Sequence, residues 1–158
     1  MRICVLSSFE DSMQNDTGAS VRIYNLAKGL KANGHEVTVV IPKMYASSEI
    51  VDGIPVQTFR GLLPKSILDV LRKFVNVARP TALYFYDIGF ALRVSSLLRK
   101  ADIIQMEQQT AGALFIPFIK LLIRRPIVFD CHDVFQALKL KHTSLFRRIL
   151  ESCSEQIA

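Results

Sequence analysis

The sequence predicts an α/β chain of Rossmann-like type, a doubly wound parallel sheet with helices on both faces. Three observations carry that expectation. Short β-branched runs alternate along the chain with stretches of helical periodicity, the pattern of strands joined by right-handed helical crossovers. The first run, Arg2-Ile3-Cys4-Val5-Leu6, is continuously apolar after its arginine, as in a strand covered on both faces. With 158 residues, 50% of them hydrophobic, and a mean hydropathy of +0.27, the chain is long and apolar enough to bury the core of one domain.

The elements follow in order. After Ser7-Ser8 a polar loop runs to Gly18. Ile23, Leu26, Ala27 and Leu30 then recur at i, i+3, i+4 and i+7, with Arg22, Asn25, Lys28 and Lys31 on the other side. That is one amphipathic helix. Asn33-Gly34 stops it, since glycine suits the left-handed position past a helix end, and His35 reads as a residue of the same turn. Residues 37–41 (Val-Thr-Val-Val-Ile) form a second strand closed by Pro42. Ile54, Val56 and Thr58 alternate with polar or turn residues and suggest a shorter, more peripheral strand. Two helices are expected over residues 64–78 and 81–98, separated by Arg79-Pro80. A strand at 102–106, a helix over 110–123, a strand at 126–131 and a last helix from about residue 144 complete the order. Because the chain stops in or just after that helix, a further strand and a further domain are expected beyond it.

Composition narrows the function classes. With Gly 7, Pro 6 and no low-complexity tract the chain is not disordered, and the lack of any fixed-period repeat excludes solenoids and propellers. Cys4, Cys131 and Cys153 are odd in number and widely spaced in apolar runs. They read as reduced core thiols of a cytoplasmic protein, not as a disulfide framework or a metal site. Nothing at the N-terminus reads as a secretory signal. The most apolar stretch, residues 111–123, is interrupted by Pro117 and Lys120 and is shorter than the ~20 residues that span a bilayer.

The formal charge of +6 is concentrated. Residues 60–100 hold eight basic side chains (Arg60, Lys65, Arg72, Lys73, Arg79, Arg93, Arg99, Lys100) against two acidic ones (Asp69, Asp87), and the rest of the chain is neutral. The segment is also rich in large apolar residues. Either its helices face the sheet and their basic residues are simply solvated, or Lys65, Arg72 and Lys73 mark a surface for an anionic membrane or lipid-linked acceptor. No nucleic-acid motif accompanies the charge, and nucleic acid is not an expected partner.

In a doubly wound sheet ligands bind at the carboxyl ends of the strands, so the functional loops are expected at residues 7–18, 42–52, 107–110 and 132–143. In the first, Asp16-Thr17-Gly18-Ala19-Ser20 directly precedes a helix. This arrangement aims backbone N–H groups and the positive helix end at an anion such as phosphate, or it is a plain helix cap. Neither G-x-G-x-x-G nor a phosphate loop ending in Gly-Lys-Ser/Thr occurs, which disfavours a nucleotide-binding oxidoreductase. Asp130-Cys131-His132-Asp133 ends the strand at 126–131. It places an imidazole beside carboxylates, fit to bind a hydroxyl-rich ligand or move a proton, or to cap the strand. Glu107, after the strand at 102–106, could contact ligand or cap the next helix. Neither a nucleophile elbow nor a metal-ligand cluster is present in the sequence.

These stretches resemble a known family. Asn25-Leu26-Ala27-Lys28-Gly29-Leu30 and Gly34-His35-Glu36-Val37-Thr38-Val39, with "RRPIVFDCHDVF" and "ADIIQME" further on, are similar to the N-terminal half of GT-B-fold, family-4-like retaining glycosyltransferases. The resemblance implies that residues 1–158 are one acceptor-side domain whose nucleotide-sugar-binding partner lies outside the chain. It implies a UDP- or GDP-sugar donor, a glycan, lipid-linked or protein acceptor, no cofactor and no metal. The product would be a surface polysaccharide, glycolipid or glycoprotein, made in the cytoplasm or peripherally at the inner membrane face. Thr17, Gly18 and Ala19 would approach the donor phosphates, His132 would be catalytic and contact the transferred sugar or the acceptor, and Glu107 and Asp133 would contact sugar or acceptor. Two departures stand out: Gly18-Ala19 where the family often has two glycines, and Gln105 or Glu107 where it often has histidine. The competing class is a stand-alone, non-enzymatic subunit that docks a membrane or a separate catalytic chain.

Overall fold

The computed structural model of the chain describes residues 1–7, 13, 18–43, 45–64, 66–67, 69–70, 88–107, 120–121 and 123–130. Their elements are β1 (Arg2–Leu6), α1 (Gly18–Ala32), β2 (Glu36–Pro42), β3 (Ser47–Val51), β4 (Ile54–Phe59), α2 (Ile88–Leu98), β5 (Ile103–Glu107) and β6 (Ile127–Asp130). The strands form one sheet in the order β3-β4-β2-β1-β5-β6. From β4 to β6 every pairing is parallel, with Val39 opposite Val56, Ile3 opposite both Val37 and Ile103, and Ile104 opposite Ile127.

Strand alternation sorts the core onto two faces. Ile3 and Val5 of β1 join Val37, Val39 and Ile41 of β2, Ile54 and Val56 of β4, and Ile23 and Ala27 of α1 in one buried cluster. On the other face Cys4, Leu6, Val40, Ile104 and Met106 are buried, as are Ala91, Val94 and Leu98 on α2. Burial pushes the Cys4 thiol up to about 12, so it stays protonated and behaves as a small core hydrophobe. Cys131 and Cys153 lie outside the described residues.

The end of α1 is fixed by its own sequence. The Gly34 N–H donates to the Lys31 carbonyl at 2.9 Å and the His35 N–H to the Leu30 carbonyl at 3.2 Å, while Gly34 takes φ +79°. This is the double-bonded, left-handed helix end that satisfies the orphan carbonyls of the last turn, and it places His35 in the turn.

One expectation needs correction. The sheet is parallel except at one edge, where β3 runs antiparallel to β4, with Ser47 opposite Thr58 and Val51 opposite Ile54. Half of the loop expected over residues 42–52 is therefore strand. Ser47-Ser48-Glu49-Ile50 is exposed along its length, because an edge strand needs no apolar alternation. Its mark was the turn: Asp52 (φ 50°) and Gly53 (φ +72°) make the two-residue, positive-φ connection preferred by hairpins. Elsewhere α2 ends at Leu98 as expected, and β5 runs one residue further, to Glu107. Residues 66–67 and 69–70 are helical within the expected 64–78 helix, and 120–121 and 123 within the end of the expected 110–123 helix. Residues 71–87 and the helix expected from about 144 lie outside the described residues.

Candidate functional site

All five parallel strands present their carboxyl ends at one edge of the sheet. From β1 the chain moves outward to β2 and β4 on one side, and β5 then lies on the other side of β1. The direction of winding thus reverses between β1 and β5, where Leu6 is opposite Met106. A crevice opens at such a switch point, outside the carboxyl ends of the two strands. Ser7 stands at one lip, buried, its N–H donating to the Val40 carbonyl at 3.0 Å. Glu107 ends the strand at the other lip, in register with Asp130 of β6. The ends of β1 and β6 flank that of β5, two strand spacings or roughly 10 Å apart.

Gly18 is the first residue of α1. It is exposed, its φ is negative, and a Cβ built on it would meet no atom of the described residues within 4 Å. Neither its backbone conformation nor packing against the described residues therefore demands glycine there. Ala19 follows it in the helix. Thr17, His132 and Asp133 lie outside the described residues, as do Lys65, Arg72 and Lys73.

The same edge continues past β2 and β4, where the sequence marks residues 42–52 as a functional loop without a site residue in it and Arg60 only as part of the basic segment. The Lys43 N–H donates to the Phe59 carbonyl at 3.0 Å, extending the β2–β4 ladder by one step, so Lys43 and Arg60 leave adjacent strand ends side by side. Tyr45 is 61% exposed, with the Lys43 Nζ 5.8 Å from its ring centroid. Thr58, 2% exposed, fastens this loop from below. Its hydroxyl donates to the Tyr45 carbonyl at 3.0 Å and accepts the Ser47 N–H at 2.7 Å. Arg93 of α2 donates to the Arg60 carbonyl at 2.9 Å. The signal that could have found this group was Asp52-Gly53: reading it as a hairpin turn puts β3 beside β4 and Tyr45 at the carboxyl edge.

The opposite edge is built differently. A hollow of about 140 Å³ opens there between Arg2, Cys4, Thr38, Leu97 and Lys100, at the amino ends of β1 and β2 and so at the wrong end for a ligand of this architecture. Beside it Arg2 pairs with Asp102 at 3.1 Å, and the Arg2 backbone N–H, then its guanidinium, hold the Asp102 carboxyl below its usual range. At the same end the Tyr24 hydroxyl donates to Asp52, Lys28 lies 3.6 Å from that carboxylate, and Lys31 donates to the Asp52 carbonyl at 2.9 Å. The Tyr24 bond first, and the lysines after it, hold Asp52 below the usual carboxylate range. These contacts tie the hairpin turn to α1. Among the described residues no three His, Cys, Asp or Glu side chains gather as a metal site, and no helix is long and apolar enough to cross a membrane.

Residues 17–158 match the family model described as Glycosyltransferase Family 4. No curated protein sequence matches the chain. Among solved structures it is similar to sucrose-phosphate synthase from Thermosynechococcus elongatus, at 13% identity and TM-score 0.61 over 98% of this chain and 40% of that one. HepE of Anabaena, solved with UDP, is 18% identical with TM-score 0.58, over 100% of this chain and 36% of that one. The catalytic domain of starch synthase IV from Arabidopsis thaliana, bound to ADP and acarbose, is 16% identical with TM-score 0.54, over 84% and 34%. The chain thus spans 34–40% of the length of these structures. At such identities the likeness speaks for the fold, which is that of GT-B glycosyltransferases. With its sheet of that architecture and 17–158 under the family's model, the chain belongs to Glycosyltransferase Family 4, as an N-terminal domain of the GT-B type.

Proposed function

We propose that this chain is the acceptor-side half of a retaining glycosyltransferase that moves a sugar from a nucleotide sugar to a glycan, lipid-linked or protein acceptor. The observation that carries the reading is Gly18: a glycine that no described neighbour demands, at the start of the helix that follows β1. A helix start offers unsatisfied N–H groups and a partial positive charge, which favour the phosphates of a donor. A missing Cβ lets those phosphates approach the backbone closely. Relatives in fold solved with UDP and ADP support a nucleotide-sugar donor, with UDP or GDP as the expected nucleotide. In this reading Thr17 and Ala19 flank the phosphate contact, His132 meets the transferred sugar, and Glu107 and Asp133 accept hydrogen bonds from hydroxyls.

Departure of a diphosphate needs charge stabilisation in a closed, water-poor cleft. One lobe cannot close over a donor, so residues 1–158 alone do not turn it over. The test is Gly18→Ala in the protein that carries the second lobe, assayed for hydrolysis and transfer with a panel of nucleotide sugars. Since the added methyl meets no described residue and glycine is a poor helix former, stability should hold or rise by about 0.5–1 kcal/mol, while turnover falls at least tenfold. Equal turnover in both proteins removes Gly18 from the site. Absence of turnover with every nucleotide sugar favours the non-enzymatic docking subunit instead.

An anionic membrane is the second partner in this reading, presenting a lipid-linked acceptor. Its support is the basic segment 60–100, where Leu62, Ile67 and Val70 are 62%, 45% and 55% exposed, large apolar side chains standing among the cations as on membrane-surface helices. Lys65, Arg72 and Lys73 would supply the electrostatic part.

A further inference from the structure

We infer that Lys43, Tyr45 and Arg60 form a preorganised subsite for a sugar ring that carries an anionic group, on the acceptor side of the crevice. The inference rests on the transferase reading for the role of the subsite, though not for its existence. Its first support is position. Lys43 and Arg60 follow directly on β2 and β4 at the ligand-binding edge, and β2 is the neighbour of β1 on the side away from β5. The group is therefore displaced from the β1–β5 switch point by one to two strand spacings, roughly 5–10 Å. That offset suits the part of an acceptor remote from its reacting hydroxyl.

The second support is chemistry. An exposed tyrosine ring offers a flat apolar face with a polar tip, suited to the C–H face of a pyranose, and Tyr45 is 61% exposed. Neither Lys43 nor Arg60 makes an ion pair among the described residues. Among the described residues no carboxylate neutralises these two cations on adjacent strand ends, and a ligand phosphate or carboxylate would do so through charge-assisted hydrogen bonds. Arg93 bonds the Arg60 carbonyl and so holds the second strand end in place.

The third support is rigidity. Thr58 is buried, and its hydroxyl bridges Tyr45 and Ser47 across the loop. Without that hydroxyl a buried Ser47 partner would be lost and the Tyr45 backbone freed. A loop backbone already tied down has less entropy to lose when a ligand binds its side chains. Thr58 is thus a positioning residue, and Tyr45, Lys43 and Arg60 are the contacting ones.

The experiment is an NMR titration of the protein with glucose 6-phosphate, glucuronate, glucose and inorganic phosphate, followed at the amides of Lys43 and Tyr45. Both charged sugars should shift these amides at concentrations about tenfold below those needed for glucose or phosphate alone, and whichever binds tighter identifies the anionic group. Tyr45→Phe should retain the effect, and Tyr45→Ala should weaken every sugar severalfold. Lys43→Gln with Arg60→Gln should bring the charged sugars down to the level of glucose. Thr58→Val should weaken all three sugars while leaving the preference for charge intact. No shift with either charged sugar, or equal binding of all four probes, overturns the inference. Turnover of a nucleotide sugar with an acceptor KM unchanged by Tyr45→Ala and by the Lys43 and Arg60 changes overturns it while leaving the transferase reading standing. Charged-sugar binding without turnover of any nucleotide sugar by the protein that carries the second lobe retains the subsite and removes that reading.

Discussion

Single residues show how local chemistry fixes, or fails to fix, a backbone. Gly34 sits at φ +79° with no described atom within 4 Å of its missing Cβ, so the cost of Gly34→Ala lies in the strained left-handed backbone and not in a clash with a neighbour. We expect chemical denaturation to show a loss of about 1–2 kcal/mol, the usual penalty of a side chain in the left-handed region. This glycine was legible in the sequence because a helix end is a short-range event. Gly18 was legible as a glycine before a helix but not as one that no described neighbour crowds, since space around a Cβ is a tertiary fact. Asp52 gives a pH dependence. Its carboxyl titrates below its ordinary value, chiefly through the Tyr24 hydroxyl. A carboxylate lowered on folding contributes stability above its unfolded pKa of about 3.9 and loses it as pH falls through the folded value. Asp52→Asn, which tolerates the positive φ, should therefore lower Tm at pH 7, and the gap should close as pH drops below about 3.9. A gap that persists at pH 2 would assign the effect to the turn conformation, not to the charge.

At the scale of elements, burial decides. β4 alternates buried Ile54, Val56 and Thr58 with less buried Pro55, Gln57 and Phe59, the period-2 pattern that made it readable. Ile54 is fully buried in the α1-side cluster, and Ile54→Ala should cost about 2–5 kcal/mol by urea denaturation. A loss under about 1 kcal/mol would mean that the hairpin collapses onto the space. β3 escaped the sequence reading for the converse reason. Ser47-Ser48-Glu49 buries nothing and carries no pattern, and the strand exists because Asp52-Gly53 turns the chain back and β4 offers an open edge. Lysines and a tyrosine of α1 then grip that turn from its far side, a contact between residues 21 to 28 positions apart that no local window contains.

For the whole molecule, the concentration of net charge in residues 60–100 predicts salt-sensitive association with anionic vesicles. Sedimentation with phosphatidylglycerol liposomes should fall steeply between 0.1 and 1 M salt, as the screening length shrinks from about 10 to 3 Å, and should be lost on exchanging Lys65, Arg72 and Lys73 for glutamate. Binding that ignores salt, or none at low salt, counts against the membrane. The alternation of strands and helices, the two-faced core and the ends of α1 and α2 were determined by the sequence alone, because hydrophobic period and helix-stop residues act over a few neighbouring positions. The strand order, the reversal of winding between β1 and β5, the antiparallel edge and the placing of Lys43, Tyr45 and Arg60 together at the carboxyl ends of β2 and β4 were decided only by the tertiary structure. Which strand lies beside which depends on contacts between residues far apart in the chain, and those leave no periodic trace in the order of the amino acids.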